Sequence, residues 1–225
     1  MTTDGLFDKC WVREEGIKLL KAGSSGASNA GREPYSEVIA SPIYEKLCNR
    51  IMYTLRKYHG KTVSCCDIFT SEKYGFKSMI ACGINTTVLP KLLKEFSKYD
   101  AEDLFRRMVV ADAVTINNDR HLGNFGFIVD NDTYAIVGMT PVFDYNQAMF
   151  PYADWYEGLP DMESWITERG PKIGNDYYSS AEHMITPRIR SELINLEDLE
   201  LTVDIDEKFD KKRLMTINRF KITGY

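Results

Sequence analysis

The sequence predicts a mixed α/β protein of the α+β type with two lobes, a small one of strands and one helix and a larger, mainly helical one. Apolar segments with strand-like composition lie before residue 70. After residue 77 the apolar residues recur with helical spacing. The polar stretch 70–77 between them is the predicted boundary, so the lobes are predicted at 1–70 and 71–225.

The composition is that of an ordinary globular protein. The 225 residues are 44% hydrophobic and 27% charged, which argues against a disordered or fibrous chain. The net charge of −5 argues against a generally basic nucleic-acid binder. No apolar run approaches the ~20 residues of a membrane span, and the charged residues within 1–15 exclude a signal peptide there. Five cysteines without a C-x-x-C motif predict free thiols, so we expect a cytoplasmic protein.

The small lobe is predicted to hold three strands and one helix. Strands are expected at 10–13 and 17–21, joined by a turn at 14–16, and a third strand at 62–69. A loop of small residues follows the second strand. A helix is then expected over 35–56, because four apolar residues lie there at steps of four, namely Ile39, Ile43, Leu47 and Ile51.

The larger lobe is predicted to begin with two helices. They are expected at 87–99 and 101–116, with Asp100 as the N-cap of the second. Two short strands, 125–129 and 134–137, are joined by a turn of Asp, Asn and Thr residues. The last eighty residues are expected to be mostly helical.

Three oxygen-bearing side chains stand out where the second helix ends. Asp119 follows that helix, Asn124 lies five residues later, and Asp144 follows the hairpin. Oxygen ligands of this kind suit Mg²⁺, which proteins hold with one or two groups plus phosphates. The spacing Asp119-x-x-x-x-Asn124 is that of a kinase catalytic loop, in which the Asp orients the acceptor hydroxyl and the Asn holds metal. A further Asp holds metal after the hairpin, where Asp144 lies.

The small lobe supplies the two other groups that such a mechanism needs. Lys21 ends the second strand, where a lysine would hold the nucleotide phosphates. Glu37 lies near the start of the first helix, where an acid would orient that lysine. Taken singly, Lys21 is an ordinary solvated lysine, Glu37 a helix N-terminal charge and Asp144 a turn residue. Their order along the chain is what predicts a phosphotransferase.

The segment Asn118–Gly126, followed by Val142-Phe143-Asp144, resembles the HipA-like serine/threonine kinases. In that family the loop runs Asp-x-His-x-x-Asn, so the resemblance implies that Asp119 and His121 are catalytic. It assigns the metal to Asn124 and Asp144. From its residue type alone, His121 is expected to brace the loop through hydrogen bonds. The fold implied is that of a protein kinase with two lobes.

The N-terminal part is also similar to this family. The stretches 19–23 and 33–41 resemble those that hold its ATP-binding lysine and orienting acid, here Lys21 and Glu37. Residues 2–9 lie where the family has its glycine-rich phosphate loop, which assigns Gly5 to the cofactor. Residues 63–69 resemble the strand that leads to the adenine-contacting hinge, which adds Asp67 and Phe69. Thr2 and Thr3 lie where HipA itself carries an autophosphorylated serine.

The resemblance implies ATP and Mg²⁺ as cofactors and a protein as substrate, for example a translation component or the chain itself. An antitoxin is an implied partner, because many family members are toxins of toxin–antitoxin systems. We expect no direct nucleic-acid or membrane partner.

Three alternatives are open. Asp-Arg-His-x-x-Asn also resembles the catalytic loop of phosphatidylinositol 3-/4-kinases, although no basic amphipathic segment indicates a membrane surface. A pseudokinase that binds a partner is the second alternative. A cytosolic α/β domain with chance spacing is the third.

Overall fold

Two antiparallel sheets organise the chain in the computed structural model, which describes residues 8–27, 30–153 and 166–223. The first sheet has the strand order β1-β2-β4-β3 and the second has the order β5-β6-β7. The strands are β1 (Lys9–Glu14), β2 (Gly16–Ala22), β3 (Thr54–Tyr58), β4 (Lys61–Asp67), β5 (Tyr74–Ser78), β6 (Gly126–Asp130) and β7 (Ile136–Met139).

The register of the first sheet decides which way Lys21 faces. On one face Leu20 and Ala22 pack with Val63 and Cys65 in a small apolar cluster. Lys21 lies between Leu20 and Ala22 and therefore points to the opposite face. Its cross-strand partner is Ser64 of β4, so the two polar side chains share the face that α1 (Glu33–Leu47) covers.

The first helix is shorter than the sequence predicts. The prediction of 35–56 is wrong at its C-terminal end, because α1 ends at Leu47. The next residues bond to a neighbouring segment instead: Val142 donates to the Asn49 carbonyl, and Ile51 donates to the Val142 carbonyl. The chain then forms β3, an edge strand of mostly exposed residues. A strand without a buried face lacks the alternation by which it could have been recognised.

The next two helices form where the sequence predicts them. They are α2 (Leu89–Ser97) and α3 (Glu102–Thr115). The prediction that Asp100 caps α3 is wrong, since the N-cap is Ala101, without a side-chain cap, and Asp100 has a φ of 53°. The second half of the predicted connection 70–77 belongs to strand β5, another edge strand.

The described residues of the C-terminal part are less helical than predicted. They form α4 (Tyr177–Met184), α5 (Pro187–Ile194) and α6 (Lys211–Thr223), with an irregular stretch at 195–210. Phe209 of this stretch stacks on Tyr35 of α1, with ring centroids 5.2 Å apart. One apolar core runs from α1 through α2 and α3 to this tail. No helix in the described part of the chain is long and apolar enough to cross a membrane.

Candidate active site

Lys21 lies at the centre of a buried cluster of charges. Only 4% of its surface is exposed, and its Nζ is ion-paired with the Glu37 carboxylate of α1. Ser64 donates a hydrogen bond to the other oxygen of the same carboxylate. The strand and the helix thus hold the two side chains together, as the sequence predicts for a phosphate-binding lysine and its orienting acid.

Asp144, which follows the β6–β7 hairpin, completes this cluster. Its Oδ1 accepts a hydrogen bond of 2.8 Å from Lys21 Nζ, although 123 residues separate the two in sequence. The backbone of Asp144 has a φ of 53°, and its N–H donates to the Tyr53 hydroxyl at 3.1 Å. Lys21 Nζ also lies 5.1 Å from the centroid of the Tyr53 ring. The carboxylate that the sequence predicts as a metal ligand therefore lies beside the predicted phosphate-binding lysine.

The charges of the cluster shift one another's titration. Burial alone would lower the pKa of Lys21, but the Asp144 and Glu37 carboxylates outweigh it and raise that pKa above its ordinary value. Burial alone would raise the pKa of Asp144, but the charge of Lys21 and its hydrogen bond lower it. Burial raises the pKa of Glu37 against the opposing charge of Lys21. Lys21 is therefore a cation, and Asp144 an anion, at neutral pH.

The loop 117–124 presents Asp119 and Asn124 on a backbone held by its own hydrogen bonds. The Asp119 carbonyl accepts the His121 N–H at 2.8 Å and the Asn124 Nδ2 at 3.1 Å. Asn124 is buried, and its amide nitrogen is used within the loop. Its amide oxygen is the part that suits a metal ion.

Arg120 joins this loop to the Asp144 segment, a role that the sequence analysis missed. Its guanidinium pairs with Asp112 of α3 at 2.9 and 3.0 Å. Its Nη1 donates to the carbonyls of Asn124, at 3.0 Å, and of Phe143, at 2.6 Å. The backbones that carry the two predicted metal ligands are therefore held side by side by a single nitrogen. A charged residue between two catalytic positions is the only signal in the sequence, and it does not identify a buried brace.

Two members of the loop, His121 and Asp119, have side chains that reach solvent. His121 is exposed, and its Nδ1 accepts a hydrogen bond from the Gly123 N–H at 3.0 Å, so the bracing expected of His121 extends only within the loop. The Asp119 carboxylate is one-third exposed and ion-paired with Lys172 at 2.8 Å. The sequence analysis also missed Lys172, which lies more than fifty residues away from Asp119.

The predicted nucleotide contacts are placed unevenly. Phe69 packs against Phe143, with centroids 5.1 Å apart, and so lies next to the Asp144 segment. Asp67 is exposed and pairs with Lys18 across the two central strands β2 and β4. Gly5, Thr2 and Thr3 lie outside the described residues.

The chemistry of these side chains fits a metal ion and a nucleotide. Asp144 and Asn124 offer the hard oxygen atoms that Mg²⁺ prefers, and they belong to neighbouring backbone segments. Lys21 provides a fixed positive charge beside Asp144, as phosphate oxygens require.

Comparison with known proteins identifies similar kinases. No model of a protein family matches the chain. The serine/threonine-protein kinase CtkA of Helicobacter pylori is 28% identical over 138 residues, which is 53% of this chain and only 42% of the relative's length. The crystal structure of a proinflammatory kinase CtkA from H. pylori superposes with a TM-score of 0.70 at 20% identity, covering 98% of this chain and 89% of that one.

A second solved structure extends the likeness. It is HipA of the Shewanella oneidensis toxin–antitoxin system, in complex with HipB and operator DNA. It has a TM-score of 0.52 at 11% identity and covers 100% of this chain and 65% of that one. The chain therefore has the mixed α/β fold of CtkA and HipA, and the resemblance to the HipA-like kinases that the sequence predicts is confirmed.

Proposed function

We propose that this chain is a serine/threonine protein kinase of the HipA-like type, which transfers the γ-phosphoryl group of ATP to a protein hydroxyl. The observation that carries the proposal is the buried position of Lys21 between Glu37 and Asp144. A lysine buried between two carboxylates is costly to fold. The arrangement matches the phosphate-binding lysine, its orienting acid and a metal-binding Asp of protein kinases.

Each residue of the cluster has a distinct role in this proposal. Asp119 orients or deprotonates the acceptor hydroxyl, since it is exposed at the loop surface. Asn124 and Asp144 hold Mg²⁺, which neutralises phosphate charge when bound. Lys21 holds the phosphates and is itself held by Glu37. Asp67, at the end of β4, and Phe69, two residues beyond it, are assigned to the adenine side of the nucleotide. Gly5 is assigned to the phosphate loop.

The proposed partners follow from the similarity to CtkA and HipA, and the proposed location follows from the free cysteines. The name of CtkA supports a protein substrate, and the HipA complex supports an antitoxin partner for this chain. The chain itself is a further substrate, at Thr2 or Thr3. We propose a cytoplasmic location, because all five cysteines are free thiols. The lobes are assigned to 1–70 and 71–225.

The test is phosphate transfer by the purified protein. Wild type, Asp119→Ala and Asp144→Ala are incubated with Mg²⁺ and γ-labelled ATP, alone and with a general protein substrate such as casein. Label on serine or threonine, mapped by mass spectrometry and present only with the wild type, supports the proposal. Binding of ATP without any transfer would favour a pseudokinase, because binding alone is compatible with that role.

A further inference from the structure

We infer that Lys172 is a catalytic residue of the same site, whose Nζ contacts the phosphoryl group during its transfer to the acceptor hydroxyl. The inference rests on the proposed kinase function and assigns to it a residue outside the loop 117–124 and the lysine–acid cluster. Its starting observation is the ion pair of 2.8 Å between Lys172 Nζ and Asp119 Oδ1.

The backbone around Lys172 is held while the head of its side chain remains in solvent. Ile173 is buried, and the Gly174 N–H donates to the Thr87 carbonyl at 2.9 Å. On the other side, the Arg169 carbonyl accepts a hydrogen bond from the Tyr177 hydroxyl at 3.0 Å. The Lys172 side chain is 53% exposed. A fixed backbone with a half-exposed cation suits a group that changes partner during a reaction.

The ion pair contributes little to folding. Pairs exposed to this degree stabilise a protein little, since water solvates both charges well. Exchanging the Asp119 carboxylate for a phosphate oxygen therefore costs little. Stability alone gives no reason for a lysine at this place.

The geometry places Lys172 within reach of the reacting atoms. Lys172 Nζ pairs with Oδ1 of Asp119. Oδ2 can then accept a hydrogen bond from the acceptor hydroxyl, whose oxygen would lie about 2.7 Å from it. The acceptor oxygen then lies about 5 Å from Nζ, next to the phosphoryl group that it attacks. Rotation about the flexible lysine stem covers such a distance.

The charge requirements of the reaction favour this placement. The transition state spreads negative charge over three phosphoryl oxygens, which cations stabilise. Lys21 is committed to Glu37 and Asp144, and Arg120 to Asp112 and two carbonyls. Lys172 brings a positive charge to the acceptor side, at the opposite end of the transfer from Lys21.

The first test measures a transition-state mimic and so does not depend on knowing the protein substrate. Calorimetry compares the binding of ADP with that of ADP plus Mg²⁺ and aluminium fluoride, which mimics the transferring phosphoryl group. We expect Lys172→Met to weaken the fluoride complex about tenfold or more and to leave ADP binding unchanged. Lys172→Arg, which keeps the charge, restores most of the affinity.

The second test is turnover under the labelled-ATP conditions above. Lys172→Met is expected to lower kcat about 10–100-fold, with the KM for ATP unchanged. Lys98→Met is the matched control, because Lys98 forms an ion pair of similar exposure with Glu95 at the end of α2. This control should change neither measurement.

Three outcomes would overturn the inference. If Lys172→Met weakened the binding of ADP and of the aluminium fluoride complex equally, Lys172 would contact the bound nucleotide and not the transferring phosphoryl group. Unchanged fluoride binding would remove it from the transfer step. A rise in kcat would show that Lys172 blocks Asp119. The proposed function fails separately, if the wild type forms the fluoride complex yet transfers no phosphate to any protein.

Discussion

Arg120 and Asp112 form a buried, two-point ion pair that fixes the loop 117–124 to α3, with distances of 2.9 and 3.0 Å. Asp112 also accepts hydrogen bonds from the Tyr44 hydroxyl, at 2.6 Å, and from Asn117, at 2.9 Å. The carboxylate is thus fully partnered, which a buried charge requires. Through Arg120 the same network holds the segments that bear Asn124 and Asp144.

The first prediction concerns the stability of this network. Arg120→Met leaves Asp112 buried without a counter-ion, so we expect the free energy of unfolding to fall by about 3–5 kcal/mol. Urea unfolding followed by circular dichroism measures the change. Arg56→Met is the control, since its pair with Glu14 is exposed and should contribute little to stability. If the losses of Arg120→Met and Asp112→Asn simply add in the double variant, the two residues do not act as a pair.

The second prediction separates binding from transfer at Asp119. Asp119→Asn keeps the shape of the side chain but removes the charge that orients the hydroxyl, so transfer should fall by about 10²–10⁴. The affinity for ATP and the thermal midpoint should stay the same. Single-turnover assays with labelled ATP measure the rate of transfer. Calorimetry measures the affinity for ATP and the thermal midpoint. Asp132→Asn, in the exposed hairpin turn, is the control and should transfer normally. Full activity of Asp119→Asn would exclude Asp119 as the base.

The third prediction concerns Lys21. Lys21→Met leaves the Glu37 and Asp144 carboxylates together without their cation, so we expect a loss of about 3–5 kcal/mol in unfolding free energy. Affinity for ATP should fall as well, because the phosphates lose their fixed charge. Urea titration and calorimetry measure the two effects. Lys18→Met is the control on the same strand. The partner of Lys18, Asp67, is mostly exposed, so this change should cost little stability. Unaltered ATP affinity in Lys21→Met would contradict the assigned role.

The fourth prediction is a dependence of stability on pH that arises at the C-terminal tail. Burial raises the pKa of Asp206, but hydrogen bonds from the Tyr35 hydroxyl, the Lys208 N–H and other donors outweigh it and lower that pKa. A carboxyl with a lowered folded pKa stabilises the protein above its ordinary pKa of about 3.9, and that contribution is lost as the pH falls through the lowered value.

Asp206→Asn should therefore be less stable than the wild type at pH 7, and the difference should shrink below about pH 4. Urea midpoints between pH 2.5 and 7 measure it. Tyr35→Phe, which removes only one of the hydrogen bonds, should show a smaller effect of the same form. If the difference in stability between the wild type and Asp206→Asn stayed constant from pH 2.5 to 7, the charge of Asp206 would not contribute to stability.

The fifth prediction concerns helix capping. The Asp176 side chain accepts the Ser179 N–H at 2.8 Å at the start of α4, so Asp176→Ala should cost about 1 kcal/mol. Asp100→Gly is the contrasting variant, because Asp100 has a φ of 53° and does not cap α3. Glycine adopts that φ freely, so this change should cost nothing. Urea titration compares the unfolding free energies of the two variants. A loss in Asp100→Gly equal to that in Asp176→Ala would be evidence that Asp100 caps α3.

Local patterns predicted the parts of the fold that have a strong periodicity. The spacing of apolar residues located α2 and α3, and the composition of 130–133 located the turn between β6 and β7. The edge strands β3 and β5 carry no such pattern, so residues 54–56 of β3 were assigned to a helix and residues 74–77 of β5 to a connection. The end of α1 was missed because it depends on hydrogen bonds between Asn49, Ile51 and Val142, which are distant in sequence.

The sequence by itself determined the order of chemical groups along the chain: a strand lysine, a helix acid, the Asp119–Asn124 spacing and Asp144. The apolar patterns predicted the fold class, and the order of these groups is the basis of the proposed reaction, because each group belongs to a local element that the sequence predicts. The tertiary structure alone decided which other charges serve the site. Arg120 is buried against Asp112, and Lys172 meets Asp119, only because the packing of distant segments brings them there. Coulomb attraction depends on distance and burial in space, and neither can be read from separation along the sequence.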